Sequence, residues 1–368
     1  MLNKDLYFAP AFGNRPHSLI GRSNEMNRLL NGLQELPGSR SRATLVLGQR
    51  GYGKTVMLLE LAELARQNGF VVASPTIVSN GMLERIVEKI QEDGEELLKP
   101  ESGKLSGGSV GFLGFSIGLQ FEMEEQERKS FTYKLSKLCR AIEKKNLGVL
   151  ILVDEVQANN DSLRELIIAY QEMVGEGRNI AIVLAGLPGA VSAVLNDRVL
   201  TFLNRAEKIE LDPLAEGDVR AYFSEAFRKM GISLSDEMLE AAIAATEGSP
   251  YLMQLVGHYI SCFAGDDGSI NERALEEALD TAKKIFINDI CKTTINTLSD
   301  VDMRFASAMA QDDGPSKIRT VAERMGVTGD YAQQYKKRLI DSGVIRQIRR
   351  GEIEFAIPYL KDYMKYKE

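Results

Sequence analysis

A parallel α/β sheet, a run of helices and a small helix-and-hairpin tail are the architecture this 368-residue sequence predicts. Three observations lead there. β-like apolar runs alternate with amphipathic helical stretches as far as residue 211, residues 215–288 read only as helices, and residues 293–368 change to helix, helix, turn, helix and two short strands. Alternating strands and helices imply parallel strands covered on both faces. At roughly 150 residues per domain the length fits two or three domains. They divide at 1–212, 213–290 and 291–368.

In chain order, residues 23–36 form an amphipathic helix after a Pro-, Gly- and Ser-rich start. Residues 43–48 (ATLVLG) are a strand, and 54–68 a helix with Leu58, Leu61, Ala62 and Ala65 on one face. FVVASPTIV is the second strand and residues 81–98 a helix. Residues 101–120 mix Gly and Ser with Phe112, Leu113, Phe115 and Ile117, and read as an inserted hairpin or loop. A helix at 124–145 precedes GVLILVDE (148–155), an apolar strand that ends in two carboxylates. Helix 161–174, strand 179–186, a short helix at 189–196 and strand 206–211 complete the sheet. Beyond Asp212-Pro213 come helices at 215–230, 235–246, 250–264 and 271–288.

Composition narrows the function classes. Apolar residues make up 44% and charged residues 26%, ordinary for a globular chain and wrong for a disordered one. The net charge of −7 argues against a wholesale nucleic-acid coat. Yet residues 290–368 hold 14 Lys and Arg against 11 Asp and Glu, so a basic tail follows an acidic body. Cys139, Cys262 and Cys291 are scattered, which suits a reducing cytoplasm. Only two histidines, His17 and His258, exclude a His-rich metal centre. The start lacks the pattern of a secretory leader, and no apolar run approaches the ~20 residues a bilayer requires. A cytoplasmic protein without a membrane partner is expected.

The strongest motif is Gly48-Gln49-Arg50-Gly51-Tyr52-Gly53-Lys54-Thr55, with Val56 following, between a strand and a helix. It fits G-x-x-x-x-G-K-[ST]. Glycines let the backbone curl so that successive amides point at phosphate oxygens, and the helix N-terminus adds positive potential. Lys54 supplies a point charge for the β and γ phosphates, and the Thr55 hydroxyl a ligand for Mg²⁺. The second motif is Asp154-Glu155 at the end of an apolar strand, the edge at which open α/β sheets bind ligands. Asp154 is expected in the Mg²⁺ shell. Glu155 is expected to orient and polarise the attacking water. The expected fold class is thus α/β with a P-loop NTPase sheet, to which the resemblances that follow add a helical lid subdomain and a C-terminal winged-helix domain.

With both motifs in place, residues 18–290 resemble an AAA+ ATPase module of the origin-recognition and archaeal-initiator type. His17-Ser18-Leu19-Ile20-Gly21-Arg22 resembles that family's segment ahead of the first strand, which implies that Ile20, Gly21 and Arg22 lie against an adenine. Gly248-Ser249-Pro250 resembles its G-x-P element, which implies that Pro250 is near the base. Arg205 sits where the family often keeps an arginine finger for a neighbouring subunit, with Arg198 as competitor and a surface salt bridge as the plainer reading. Two features depart from the pattern. The fourth strand ends Leu184-Ala185-Gly186-Leu187-Pro188 without a polar sensor, and the lid helix Tyr251–Ile260 has no arginine. Both imply slow turnover, or kinship with the related STAND signalling ATPases.

Residues 299–368 resemble a winged helix-turn-helix. The helices fall at 300–310, at 316–325 with Ser316 as N-cap and Gly326 as stop, and at 330–341. In the third, Tyr331, Tyr335 and Leu339 are expected inward, with Gln333, Gln334, Lys336, Lys337 and Arg338 outward. Arg349 and Arg350 tip the hairpin. Such a helix and wing suit major-groove edges and phosphates of duplex DNA, while winged helices also dock proteins. The expectation is an ATP- or ADP-binding, Mg²⁺-dependent ATPase that controls DNA binding or self-association. The alternative is a STAND-like switch whose winged helix meets a protein partner.

Overall fold

The computed structural model describes residues 7–10, 19–97, 130–157, 160–197 and 200–366. The insertion at 101–120, His17, Ser18 and Arg198 lie outside these residues. The chain runs α1 (Ser23–Gln34), β1 (Ala43–Gly48), α2 (Lys54–Gln67), β2 (Phe70–Ile77), α3 (Met82–Leu97), α4 (Phe131–Glu143), β3 (Gly148–Asp154), α5 (Asp161–Gly175), β4 (Ile180–Gly186), α6 (Pro188–Leu195) and β5 (Glu207–Leu211). The five strands form one sheet in the order β2-β3-β4-β1-β5, with every pairing parallel. Every residue of β3 and β4 is buried, as strands covered on both faces must be.

Alternate side chains along each strand feed two cores. Val149, Ile151 and Val153 join Ile86 of α3, Leu135 of α4 and Leu166 of α5 on one face. Leu150 and Leu152 join Met26 of α1 and Met57, Leu58 and Leu61 of α2 on the other. This packing sets β1 between β4 and β5, so that the loop after Gly48 and the end of β3 open on the same sheet edge.

Four helices follow, α7 (Glu216–Met230), α8 (Asp236–Ala245), α9 (Pro250–Phe263) and α10 (Glu272–Phe286). An N-terminal strap joins them. Phe8 is completely buried against the rings of Tyr222, Phe223 and Phe227, and Ala9 N–H donates to Gln254 Oε1 at 3.0 Å. Gly257 of α9 leaves the space that the ring fills. After α10 the helix continues through a π-helical turn, Ile287–Lys292, into Thr293–Ile295.

The tail holds α11 (Asp300–Ala310), β6 (Ser316–Lys317), α12 (Ile318–Met325), α13 (Gly329–Asp341), β7 (Ile345–Arg349), β8 (Glu352–Phe355) and α14 (Leu360–Tyr366). Its sheet is antiparallel in the order β6-β8-β7. Three expectations change here. Ser316 does not cap a helix: it pairs with Ile353 as a strand, its hydroxyl donates to Met309 O at 3.2 Å, and Lys317 occupies the cap position. The hairpin therefore gains a third strand. Tyr331 faces solvent, 38% exposed, and the inward positions of α13 are Ala332 and Leu339. A small alanine lets the helix approach its neighbours closely, and the tyrosine is turned out.

Candidate functional site

β1 delivers the chain to the sheet edge at Gly48, and α2 leaves it at Lys54. Between them Gly51 and Gly53 take φ of +79° and +82°, the left-handed region that a side chain disfavours. The curl brings the Lys54 ammonium under its own loop, where it donates to Gly48 O and Gln49 O, each at 2.8 Å. Burial lowers its pKa to about 8, opposed by the charges of Asp154 and Glu155.

From the end of β3, Asp154 reaches across to Thr55, whose hydroxyl donates to Asp154 Oδ2 at 2.5 Å. The other carboxylate oxygen accepts the Glu155 N–H at 2.9 Å. Asp154 is 4% exposed, and two donors hold it in place. Glu155 is solvent-exposed with φ +52°, an uncommon backbone for a non-glycine residue and one that tends to cluster at functional sites. Lys54, Thr55, Asp154 and Glu155 are therefore gathered at one edge.

The helical segment closes over them. Ser249 caps α9, accepting from Leu252 N–H at 3.3 Å, and Tyr251 N–H donates to Gly51 O at 3.3 Å. Pro250 begins α9 and stands beside Gly53. Arg22 is 4% exposed and donates to Asp212 O, its Nε has no partner among the described residues, and burial lowers its pKa. Gly21 abuts Asp218 of α7, and Ile20 packs on the lid core. Ile20, Gly21 and Arg22 thus bridge sheet and lid. Arg50 and Val56 are half-buried. Arg205 ends a 3-10 turn before β5, exposed and without an ion pair among the described residues.

Two loop residues do more than sequence reasoning assigned them. Tyr52 is buried, and its hydroxyl donates to Ala356 O of the tail at 3.4 Å. Gln49 Oε1 is buried without a hydrogen-bond partner among the described residues, pressed against Gly343. A bulky tyrosine within a glycine loop is the only trace of this in the sequence.

On the tail, Gln333, Gln334, Lys337 and Arg338 of α13 are exposed, while Lys336 is half-buried and donates to Gln347 Oε1 at 2.5 Å. Arg338 pairs with Asp302 at 2.7 Å and lies 5.3 Å from the centre of the Tyr335 ring. Arg349 pairs with Glu352 at 2.6 Å, and Arg350 is exposed at the hairpin tip. Among the described residues no cluster of three His, Cys, Asp or Glu is placed to hold a metal, and no helix is long and apolar enough to cross a membrane.

Comparison with known proteins places this geometry. Residues 18–184 match the family model of the AAA ATPase domain, and residues 288–364 match a domain of unknown function, DUF8462. No curated protein matches the sequence. Among solved structures, the chain is similar to the Walker-type ATPase of Pyrococcus abyssi, at 16% identity and TM-score 0.68 over 95% of this chain and 97% of that one. It is also similar to the Aeropyrum pernix ORC2 protein, at 14% identity and TM-score 0.61 over 96% and 94%. Cdc6p of Pyrobaculum aerophilum follows at 17% identity and TM-score 0.50 over 97% and 95%. Residues 18–184 thus match the AAA ATPase domain model, and the chain as a whole has a fold similar to that of the Pyrococcus Walker-type ATPase and the archaeal ORC2 and Cdc6p structures.

Proposed function

We propose that this chain binds ATP and ADP at the 48–55 loop and couples Mg²⁺-ATP binding, with slow hydrolysis, to duplex DNA engagement or self-assembly in the cytoplasm. The observation that carries the reading is the Lys54–Thr55–Asp154–Glu155 group at the sheet edge, beneath the N-terminus of α9. The Aeropyrum ORC2 structure, of similar fold, is of ADPNP–ADP complexes, which agrees with it. Backbone amides from Gly48 to Thr55, with Arg50 and Val56 adjoining, would cradle the phosphates. Lys54 would turn from the loop carbonyls to the β and γ oxygens. Thr55 and Asp154, already bonded to each other, would hold Mg²⁺, which neutralises charge on the phosphates. Ile20, Gly21, Arg22 and Pro250 would enclose the base.

Glu155, exposed at the end of β3, would orient water. Arg205 would serve a second copy of the chain. Turnover is slow because β4 ends in Ala185 and Gly186 and α9 holds no arginine. The tail from α11 to β8 is read as a winged helix, the last of three domains at 1–212, 213–290 and 291–368. Gln333, Gln334 and Lys337 would face base edges, with Lys336, Arg338, Arg349 and Arg350 near phosphates.

The test is nucleotide binding by Lys54→Ala. Unmodified protein should gain thermal stability with Mg²⁺-ATP, by RT ln(1 + [L]/Kd), and the variant should gain none. Equal stabilisation of both would remove the loop as the site.

A further inference from the structure

The tail domain sits on the phosphate loop. Gly343, between α13 and β7, takes φ +71°, and a Cβ there would stand 2.1 Å from Gln49 Oε1. Ala356 O accepts from the Tyr52 hydroxyl. Beside them, the second residue of α6, Gly189, meets the last turn of α13, where an added Cβ would lie 2.0 Å from Asp341 O and 2.1 Å from its Cα. Asp341 lies on the side of α13 opposite Ala332 and Leu339, the side that also carries Gln334 and Lys337. One end of the exposed α13 face is thus spent on the ATPase domain.

We infer that Gln49 and Tyr52 link nucleotide occupancy to the position of the tail, so that an anion in the loop releases the tail and the docked tail weakens nucleotide binding. This rests on the loop being the nucleotide site. The carbonyls of Gly48 and Gln49 are held by Lys54 Nζ. An ammonium drawn to phosphate leaves them, and the peptides must turn their N–H groups inward. Gln49 cannot turn without leaving Gly343. Its Oε1 is buried and unbonded among the described residues in the docked arrangement, so it gains a hydrogen bond to water on release. The tail does not move alone, because one continuous core runs from Phe8 and the lid helices to Met364. Lid and tail swing as a unit. By reciprocity, the factor by which nucleotide favours the released tail is the factor by which the released state binds nucleotide tighter than the docked one.

The test uses the full chain and Gly189→Ala. Gly189 is helical, so alanine suits α6 itself, and the atoms nearest the added methyl all belong to Asp341. Gly326→Ala is the control. Its φ is +66°, close to that of Gly343, it lies in the same domain, and nothing stands within 4 Å of the added Cβ. Hydrogen exchange is followed over residues 337–345 with and without ATP, and a fluorescent ATP analogue reports Kd. ATP should speed exchange there in the unmodified protein. Gly189→Ala should show fast exchange without ATP and bind the analogue about fivefold tighter, with Gly326→Ala unchanged in Kd. Nucleotide binding that leaves exchange and the Gly189→Ala Kd unchanged overturns the coupling but not the site. Failure of the unmodified chain to bind any nucleotide overturns both.

Discussion

Lys54, Thr55 and Asp154 were legible in the sequence because their spacing is local to a strand end, and the fold only brings two such ends together. Glu155 followed from its neighbour, and its left-handed backbone adds a reason to single it out. Glu155→Gln should retain ATP binding, since the cradle, Lys54 and the Thr55–Asp154 bond stay intact, while phosphate release falls about a hundredfold or more. Phosphate release at the unmodified rate would take Glu155 out of the chemistry. The second role of Gln49 and Tyr52 was hidden, because their partners Gly343 and Ala356 lie at the far end of the chain and no spacing rule connects them. Phe8 was hidden for a different reason. The apolar stretch Leu6-Tyr7-Phe8-Ala9 ahead of Pro10 is too short to show a period, and only the gap at Gly257 gives Phe8 its place.

The strands and helices that line the site were the most readable elements. β1 and β3 lie where their unbroken apolar runs put them, and α2 begins at the lysine of the motif. The tail was harder to read because it is small. Periodicity alone cannot separate Tyr331 from Ala332 as the inward residue, and packing chose the smaller. Nor could it foresee that Ser316 would pair with β8 rather than cap α12. The outward side of α13 survives these corrections, with Gln334 and Lys337 exposed and Arg350 exposed at the hairpin tip. Lys337→Ala combined with Arg350→Ala should therefore weaken binding to any duplex and flatten the slope of log K against log salt by about two. An unchanged slope would move the DNA contact off this face. Binding that ignores salt in the unmodified protein would favour a protein partner for the tail.

Sequence pattern divides the helical lid from the tail at residue 290, and the described residues pack closely across that boundary. Domain boundaries ordinarily fall in exposed linkers crossed by few contacts. Here α10 runs on through the π-helical turn into Thr293–Ile295 with no linker at all. Across that junction the Tyr359 hydroxyl donates to Ala245 O at 2.8 Å. Lys283 pairs with Asp362 at 3.1 Å and lies 4.4 Å from the centre of the Tyr359 ring, which in turn meets Phe286 edge-on. Each contact spans the proposed boundary, and the buried residues on both sides form one cluster. A chain cut at 290 would expose to water the apolar residues that meet across the cut, and a domain of under 80 residues has little apolar burial to spare. Unfolding of residues 213–368 should accordingly be a single cooperative transition with the same midpoint by fluorescence and circular dichroism, and residues 291–368 alone should show none. Two resolved transitions in the longer fragment, or a folded short one, would make the tail an independent module. The coupling through Gln49 would then move the tail without the lid.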